Sequence, residues 1–210
     1  MSDIVDEINR RHREVGARQV EAGEAKTVLL RRTFDADIAD VWDAVTSPER
    51  ISRWFLPVSG ELKLGGRYQL EGNAGGEILE CAEPTRLRVS WLYGPDPGFS
   101  EVEVRLTPDG ADRTVLELEH VAVVPDGFWD QYGPGSVGVG WDLGLLGLDR
   151  HLAGGEISRE EAEAWDTSPE GREFATRSGE AWGAAYAASG AEAEVVAATT
   201  AATIAFYTGA

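Results

Sequence analysis

The chain has 210 residues, with 37 acidic against 19 basic side chains and a formal net charge of −18. So acidic a surface repels phosphate backbones and anionic headgroups, which excludes nucleic acid and membrane as expected partners. A hydrophobic share of 42% supports a sizeable core, and the single cysteine, Cys81, rules out an internal disulfide.

Residues 1–24 are charged throughout and lack the apolar core of a signal peptide. They read as a loosely held N-terminal arm of a cytoplasmic protein, with at most a short amphipathic turn at Ile4, Val5 and Ile8. Residues 26–34 (KTVLLRRTF) read as a strand. Asp37 is placed to cap a helix over 38–45 that turns Val41, Trp42 and Val45 inward. Ser47-Pro48-Glu49 starts a second, short helix, which ends near Trp54-Phe55.

Over residues 56–124 the period changes to two. Strands are expected at 67–70, 77–82, 87–93, 100–106 and 114–120, parted by turns such as Pro108-Asp109-Gly110. One face carries Tyr68 and Leu70, then Glu77 with Leu79, then Leu87, Val89 and Trp91. It continues through Val102 and Val104 to Leu116, Leu118 and His120. The other face carries Arg88, Glu103 and Glu117, so the pattern is an antiparallel meander with one wet and one covered side. The cover is a helix from Ser136 to about residue 153, with Val137, Trp141, Leu145, Leu148 and Leu152 at helical spacing. At 1.5 Å per residue it spans roughly 25 Å, enough to cross the sheet.

The tail, 156–210, reads as a helical extension. Ser158 with Glu161 forms a capping box, Ser168-Pro169 starts another helix, and Gly190 punctuates it. Phe174, Trp182, Val195 and Phe206 recur on the inner sides of Ala-rich helices. Alanine gives helix without burial, so these side chains need a surface. Docking on the chain's own domain, against the first short helices, is expected. A homodimer or a protein partner through the same helices is the other reading.

Particular residues also carry a family resemblance: Trp54-Phe55, Gly65-Gly66-Arg67-Tyr68, Gly75-Gly76, Pro84 with Leu87, Trp91, and residues 140–152 (GWDLGLLGLDRHL). Over 26–155 the chain resembles the bacterial branch of the heat-shock-protein-90 ATPase activator family, within the START-like (SRPBCC, helix-grip) superfamily. The resemblance implies an α+β fold, a curved antiparallel sheet wrapped on a long helix around an apolar pocket, with 25–155 as that domain. The eukaryotic activator carries a further chaperone-binding domain, for which residues 1–24 are too few.

His12, His120, His151 and Cys81 show no metal-ligand spacing, so no metal and no cofactor are expected. His120 either looks into the pocket or is satisfied by a carbonyl at the sheet rim. Glu77 either orients a ligand or lies exposed at the rim. Gly138 to Gly144 mimics a dinucleotide fingerprint, but no parallel βαβ unit surrounds it. Ser136 lacks the setting of a nucleophile elbow. The stripe Gly140, Gly144, Gly147 suggests close packing on the helix.

The expected pocket is lined by Trp54, Tyr68, Leu70, Glu77, Leu79, Leu87, Val89, Trp91, Val102, Val104, Leu116, Leu118, His120, Trp141 and Leu145. Binding of a small hydrophobic molecule is the expected function, and no catalytic residue is assigned. A cyclase- or aromatase-like enzyme, using Glu77 or His120 as acid or base, and a protein-interaction module are the alternatives.

Overall fold

Two-residue alternation over 56–124 folds into the expected antiparallel meander, of six strands because a short one at Val58–Gly60 joins the five expected, and two further strands extend it. The computed structural model describes residues 4–95, 97–125, 127–155 and 158–210. In chain order the elements are α1 (Ile4–Asn9), β1 (His12–Val20), β2 (Gly23–Phe34), α2 (Ile38–Thr46) and α3 (Pro48–Trp54). The meander follows as β3 (Val58–Gly60), β4 (Arg67–Leu70), β5 (Gly75–Ala82), β6 (Arg86–Ser90), β7 (Ser100–Pro108) and β8 (Thr114–Ala122). Then come α4 (Phe128–Tyr132), α5 (Gly135–Leu152), α6 (Arg159–Asp166), α7 (Pro169–Ala188) and α8 (Ala193–Thr208). The strands form one curved antiparallel sheet in the order β1-β2-β8-β7-β6-β5-β4-β3. The architecture is α+β, a helix-grip fold.

The N-terminal segment is not a loose arm. β1 pairs with β2 without interruption from His12 opposite Arg31 to Val20 opposite Gly23, and Ile8 of α1 is buried. The side chains of Ile4 and Val5 lie outside the described residues. The strand was hidden because its charged side chains fall on both faces, whereas edge pairing needs only backbone groups.

The outer face of the sheet is tied by ion pairs across strands. Arg31 and Arg105 meet Glu117 at 2.7 and 3.5 Å, Arg86 meets Glu103 at 2.8 Å, and Arg88 meets Glu101 at 2.8 Å. Exposed pairs of this kind contribute about 0–1 kcal/mol each, so they favour register more than stability.

The inner face is crossed by α5. Its start differs from the expected one: Pro134 occupies the cap position and Ser136 Oγ donates to the Gly133 carbonyl at 2.8 Å. Gly154, at φ 80°, follows its C-terminal end. The helix glycines are approached by other helices, not by the sheet. A Cβ on Gly147 would stand 2.4 Å from the Trp54 carbonyl, and one on Gly138 would stand 2.3 Å from the Trp182 ring.

The C-terminal helices dock on this chain, though not on α2 and α3. α7 packs against α5, α1 and β1, while α8 packs against α7 and α4. The capping box of Ser158 and Glu161 and the Ser168 cap form as expected. Trp182 and Phe174 are buried, but Val195 and Phe206 are 41% and 66% exposed, contrary to expectation. The inner side of α8 is threonine: Thr199 and Thr203 are buried, and Thr203 Oγ1 donates to the Tyr132 carbonyl at 2.6 Å. Gly179 and Gly183 of α7 let Ile204 and Thr200 approach so closely that no Cβ fits between. The boundary expected at 155/156 falls beside residues 156 and 157, which lie outside the described residues.

Candidate functional site

Between α5 and the sheet lies an inner chamber of about 150 Å³. β4 contributes Tyr68 and Leu70, β6 Leu87 and Val89, β7 Val102 and Val104, and β8 Leu116 and Leu118. With Trp54, Trp91, Trp141 and Leu145, twelve of the expected lining residues meet here. None of the described residues lining it is charged. Two of its aromatics bond their polar atoms to the backbone: Trp54 Nε1 donates to the Ala44 carbonyl at 2.9 Å, and the Tyr68 hydroxyl donates to the Ser90 carbonyl at 2.8 Å. Burial pushes the Tyr68 hydroxyl above its ordinary pKa, so it stays protonated.

Glu77 and Leu79 do not line this chamber. The register of β5 against β6 shifts between Ile78 and Glu80. This irregularity puts Ile78 and Cys81 on the chamber wall and leaves Glu77 exposed. One extra residue reverses the side a strand presents, so alternation counted back from Leu79 assigns the wrong face. Ile51, Phe55 and Leu148 also line the chamber and are not among the expected lining residues. Phe55 sits just past the end of α3, where neither period applies.

Phe55, Trp91 and Trp141 part this chamber from a second one. Trp91 and Trp141 lie 4.9 Å apart by ring centroid, and Phe55 lies 6.4 and 6.3 Å from them. All three line both spaces. The outer compartment measures about 680 Å³ and opens past Tyr93, Phe128 and Phe206, which are exposed. Val137 and Gly140 of α5 and Tyr207 of α8 wall it, and the Tyr207 hydroxyl donates to the Ser136 carbonyl at 2.8 Å. Residues so distant in sequence carried no local signal of this meeting.

His120 lines the outer compartment, and its partners are side chains, not a rim carbonyl. Its Nδ1 accepts from Trp141 Nε1 at 3.2 Å. An indole nitrogen can only donate, so Nδ1 is unprotonated and the ring proton sits on Nε2. Nε2 lies 2.8 Å from Ser100 Oγ and donates to it. Burial pushes the His120 pKa down to about 4, which keeps the ring neutral and agrees with this arrangement. Lys26, also on this wall, is paired with Glu24 at 2.7 Å.

The opposite side of α5 holds a second polar centre that the sequence reading missed. Asp142 is fully buried. Its carboxylate accepts from Arg11 and Arg13 at 2.9 Å each, from Ser178 Oγ at 2.5 Å and from Trp182 Nε1 at 3.0 Å. Arg32 is bound nearby to Glu7 at 2.9 Å and Asp149 at 2.6 Å. An acid in an apolar helix ordinarily marks the solvent side. Here two segments remote in sequence cover it.

The geometry matches known proteins. A family model described as Activator of Hsp90 ATPase homolog 1-like protein matches residues 35–153. CalU16 from Micromonospora echinospora is 39% identical, and its crystal structure aligns with 83% of this chain and 97% of its own at a TM-score of 0.67. An HSP90 activator from Plasmodium falciparum is 20% identical and aligns with 62% of this chain and 97% of its own at 0.52, a likeness of fold alone. DynU16, a protein of the dynemicin biosynthetic locus, is 24% identical and aligns with 62% of this chain and 48% of its own at 0.53, again a likeness of fold. A search of curated proteins finds no match. Among the described residues no helix is long and apolar enough to cross a membrane. With the family model covering more than half of its length, the chain belongs to the Activator of Hsp90 ATPase homolog 1-like family.

Proposed function

We propose that this protein binds a small hydrophobic molecule in the paired chambers between α5 and the sheet. The observation that carries this reading is the inner chamber, an apolar void walled by aromatic and aliphatic side chains in an otherwise packed core. Natural cores fill such voids, and an apolar lining offers water no partners, so an apolar group is the occupant that suits it. At about 150 Å³ it takes part of a ligand, while the outer compartment of about 680 Å³ takes the rest. For the enzymatic alternative, the exposure of Glu77 leaves His120 as the one of its two candidate groups that lines the site.

The test uses N-phenyl-1-naphthylamine, a neutral probe that brightens in apolar surroundings. Saturable binding with quenching of tryptophan emission is expected. Val104→Trp, which fills the inner chamber, should weaken binding at least about tenfold while the protein stays folded, as loss of a buried apolar contact surface of this size implies. Absence of saturable binding to folded wild-type protein overturns the proposal.

A further inference from the structure

We propose that Ser100 is the specificity-determining hydrogen-bond donor of the outer compartment, and that the ligand is a flat aromatic or polycyclic molecule bearing a carbonyl oxygen. This inference rests on the ligand-binding reading above and names the chemistry of the ligand.

The argument follows the protons. Trp141 Nε1–H donates to His120 Nδ1, and His120 Nε2–H donates to Ser100 Oγ. The direction of this chain is locked. Reversing it would put a proton on His120 Nδ1, facing the indole N–H, two donors with no acceptor between them. Ser100 therefore cannot spend its own proton on His120. A serine hydroxyl carries one proton beside its acceptor lone pairs, and here the accepting side is occupied. Opposite Ser100 in the sheet stands Ala122, which offers no polar side chain. The Ser100 carbonyl is taken by the Trp91 backbone N–H at 2.8 Å. Ser100 is thus held as a donor on a wall otherwise rich in apolar groups such as Val124, Pro125 and Val137. The group it suits is an acceptor.

Two further observations narrow the class. The Trp91 and Trp141 rings flank the same place, so an aromatic ring system can stack beside the hydroxyl. Lys26 is the charged residue among the described lining, and Glu24 already neutralises it. A ligand carboxylate would lose its hydration without gaining a free cation. A neutral carbonyl meets one donor and needs no counter-charge.

Fluorene and 9-fluorenone test this directly, because they share one ring system and differ by a methylene against a carbonyl. Dissociation constants come from tryptophan quenching. Wild-type protein should prefer the ketone by about two- to tenfold, the worth of one neutral hydrogen bond. Ser100→Ala should abolish that preference and leave fluorene affinity unchanged, which also shows that the variant folds. Ser100→Thr, which restores the hydroxyl, should restore the preference. Trp141→Phe removes the indole donor, frees the imidazole to change tautomer, and should reduce the ketone preference. Equal affinities in wild type, or a preference that survives Ser100→Ala, overturn this inference and leave ligand binding standing. If neither compound binds folded protein that does bind the naphthylamine probe, this inference falls alone; if the probe fails as well, the binding reading falls with it.

Discussion

Toward the sheet α5 turns Trp141, Leu145 and Leu148, and away from it Gly138, Asp142 and Leu146. Each row repeats at three or four residues, so one helix serves two interfaces. On the sheet side none of the described residues lining the inner chamber is charged, and a void persists. On the other side a carboxylate without solvent contact is surrounded by donors, and the Trp182 ring fills the notch at Gly138. The difference shows what each interface is for. Charges taken out of water are costly unless paired, so the Asp142 centre binds β1, the turn before it and α7 to α5 as one unit. A chamber that holds a guest must stay incomplete.

The largest expected effect tests the polar side. Asp142→Ala leaves Arg11 and Arg13 buried without their carboxylate, which should cost about 3–5 kcal/mol in urea unfolding. Probe binding per folded molecule should not change, since Asp142 does not line either chamber. A loss below about 1 kcal/mol, the range of exposed pairs, would mean that the arginines find other partners and that the centre fastens nothing.

The same contrast explains what was legible in the sequence. Twelve expected lining residues, from Trp54 to Leu145, meet at the inner chamber because strand alternation and helical spacing are both local periods. Glu77 and Leu79 were misplaced because a shift in pairing leaves the apolar pattern of β5 unchanged. β1 and Asp142 were missed together, for one reason. Arg11 and Arg13 read as solvated charges, and so does Asp142, until the fold brings them within 3 Å of one another. Val195 and Phe206 were misassigned because size was taken to mean burial. In α8 the buried positions are Thr199 and Thr203, whose compact side chains fit against Gly133 and Gly135.

His120 provides an intermediate effect, on the chamber side. Its pKa falls from 6.5 to about 4 on burial, chiefly through loss of solvent. Between these values the unfolded chain binds the proton that the native ring refuses, so stability rises with pH. The contribution is complete above about pH 6.5 and is lost as pH falls toward 4, an amount on the order of 3 kcal/mol. Ser100, Trp91, Trp141 and Lys26 line the same compartment, and none supplies a negative charge to hold a protonated ring. Urea unfolding of wild type and His120→Gln across this window should show a steeper loss for wild type. Parallel curves would place His120 in contact with water and break the hydrogen-bonded order inferred for it.

The smallest effect, a difference between two variants, gives the sharpest form of the comparison, because it uses two adjacent leucines of α5. Leu145 borders the inner chamber, whereas Leu146 packs with Ile8 and Phe174 on the opposite side. Both are nearly fully buried, so the transfer part of a Leu→Ala loss should be alike. The cavity part should not be. At position 146 a new void opens in packed surroundings, and the cost should reach about 3–4 kcal/mol. At 145 the truncated side chain merges with space already empty and forgoes fewer contacts, so the cost should stay near 2 kcal/mol. Leu145→Ala should also change affinity for the naphthylamine probe, and Leu146→Ala should not. Equal losses in stability, with probe binding untouched in both, would mean that the chamber closes in solution and that the two sides of α5 are packed alike.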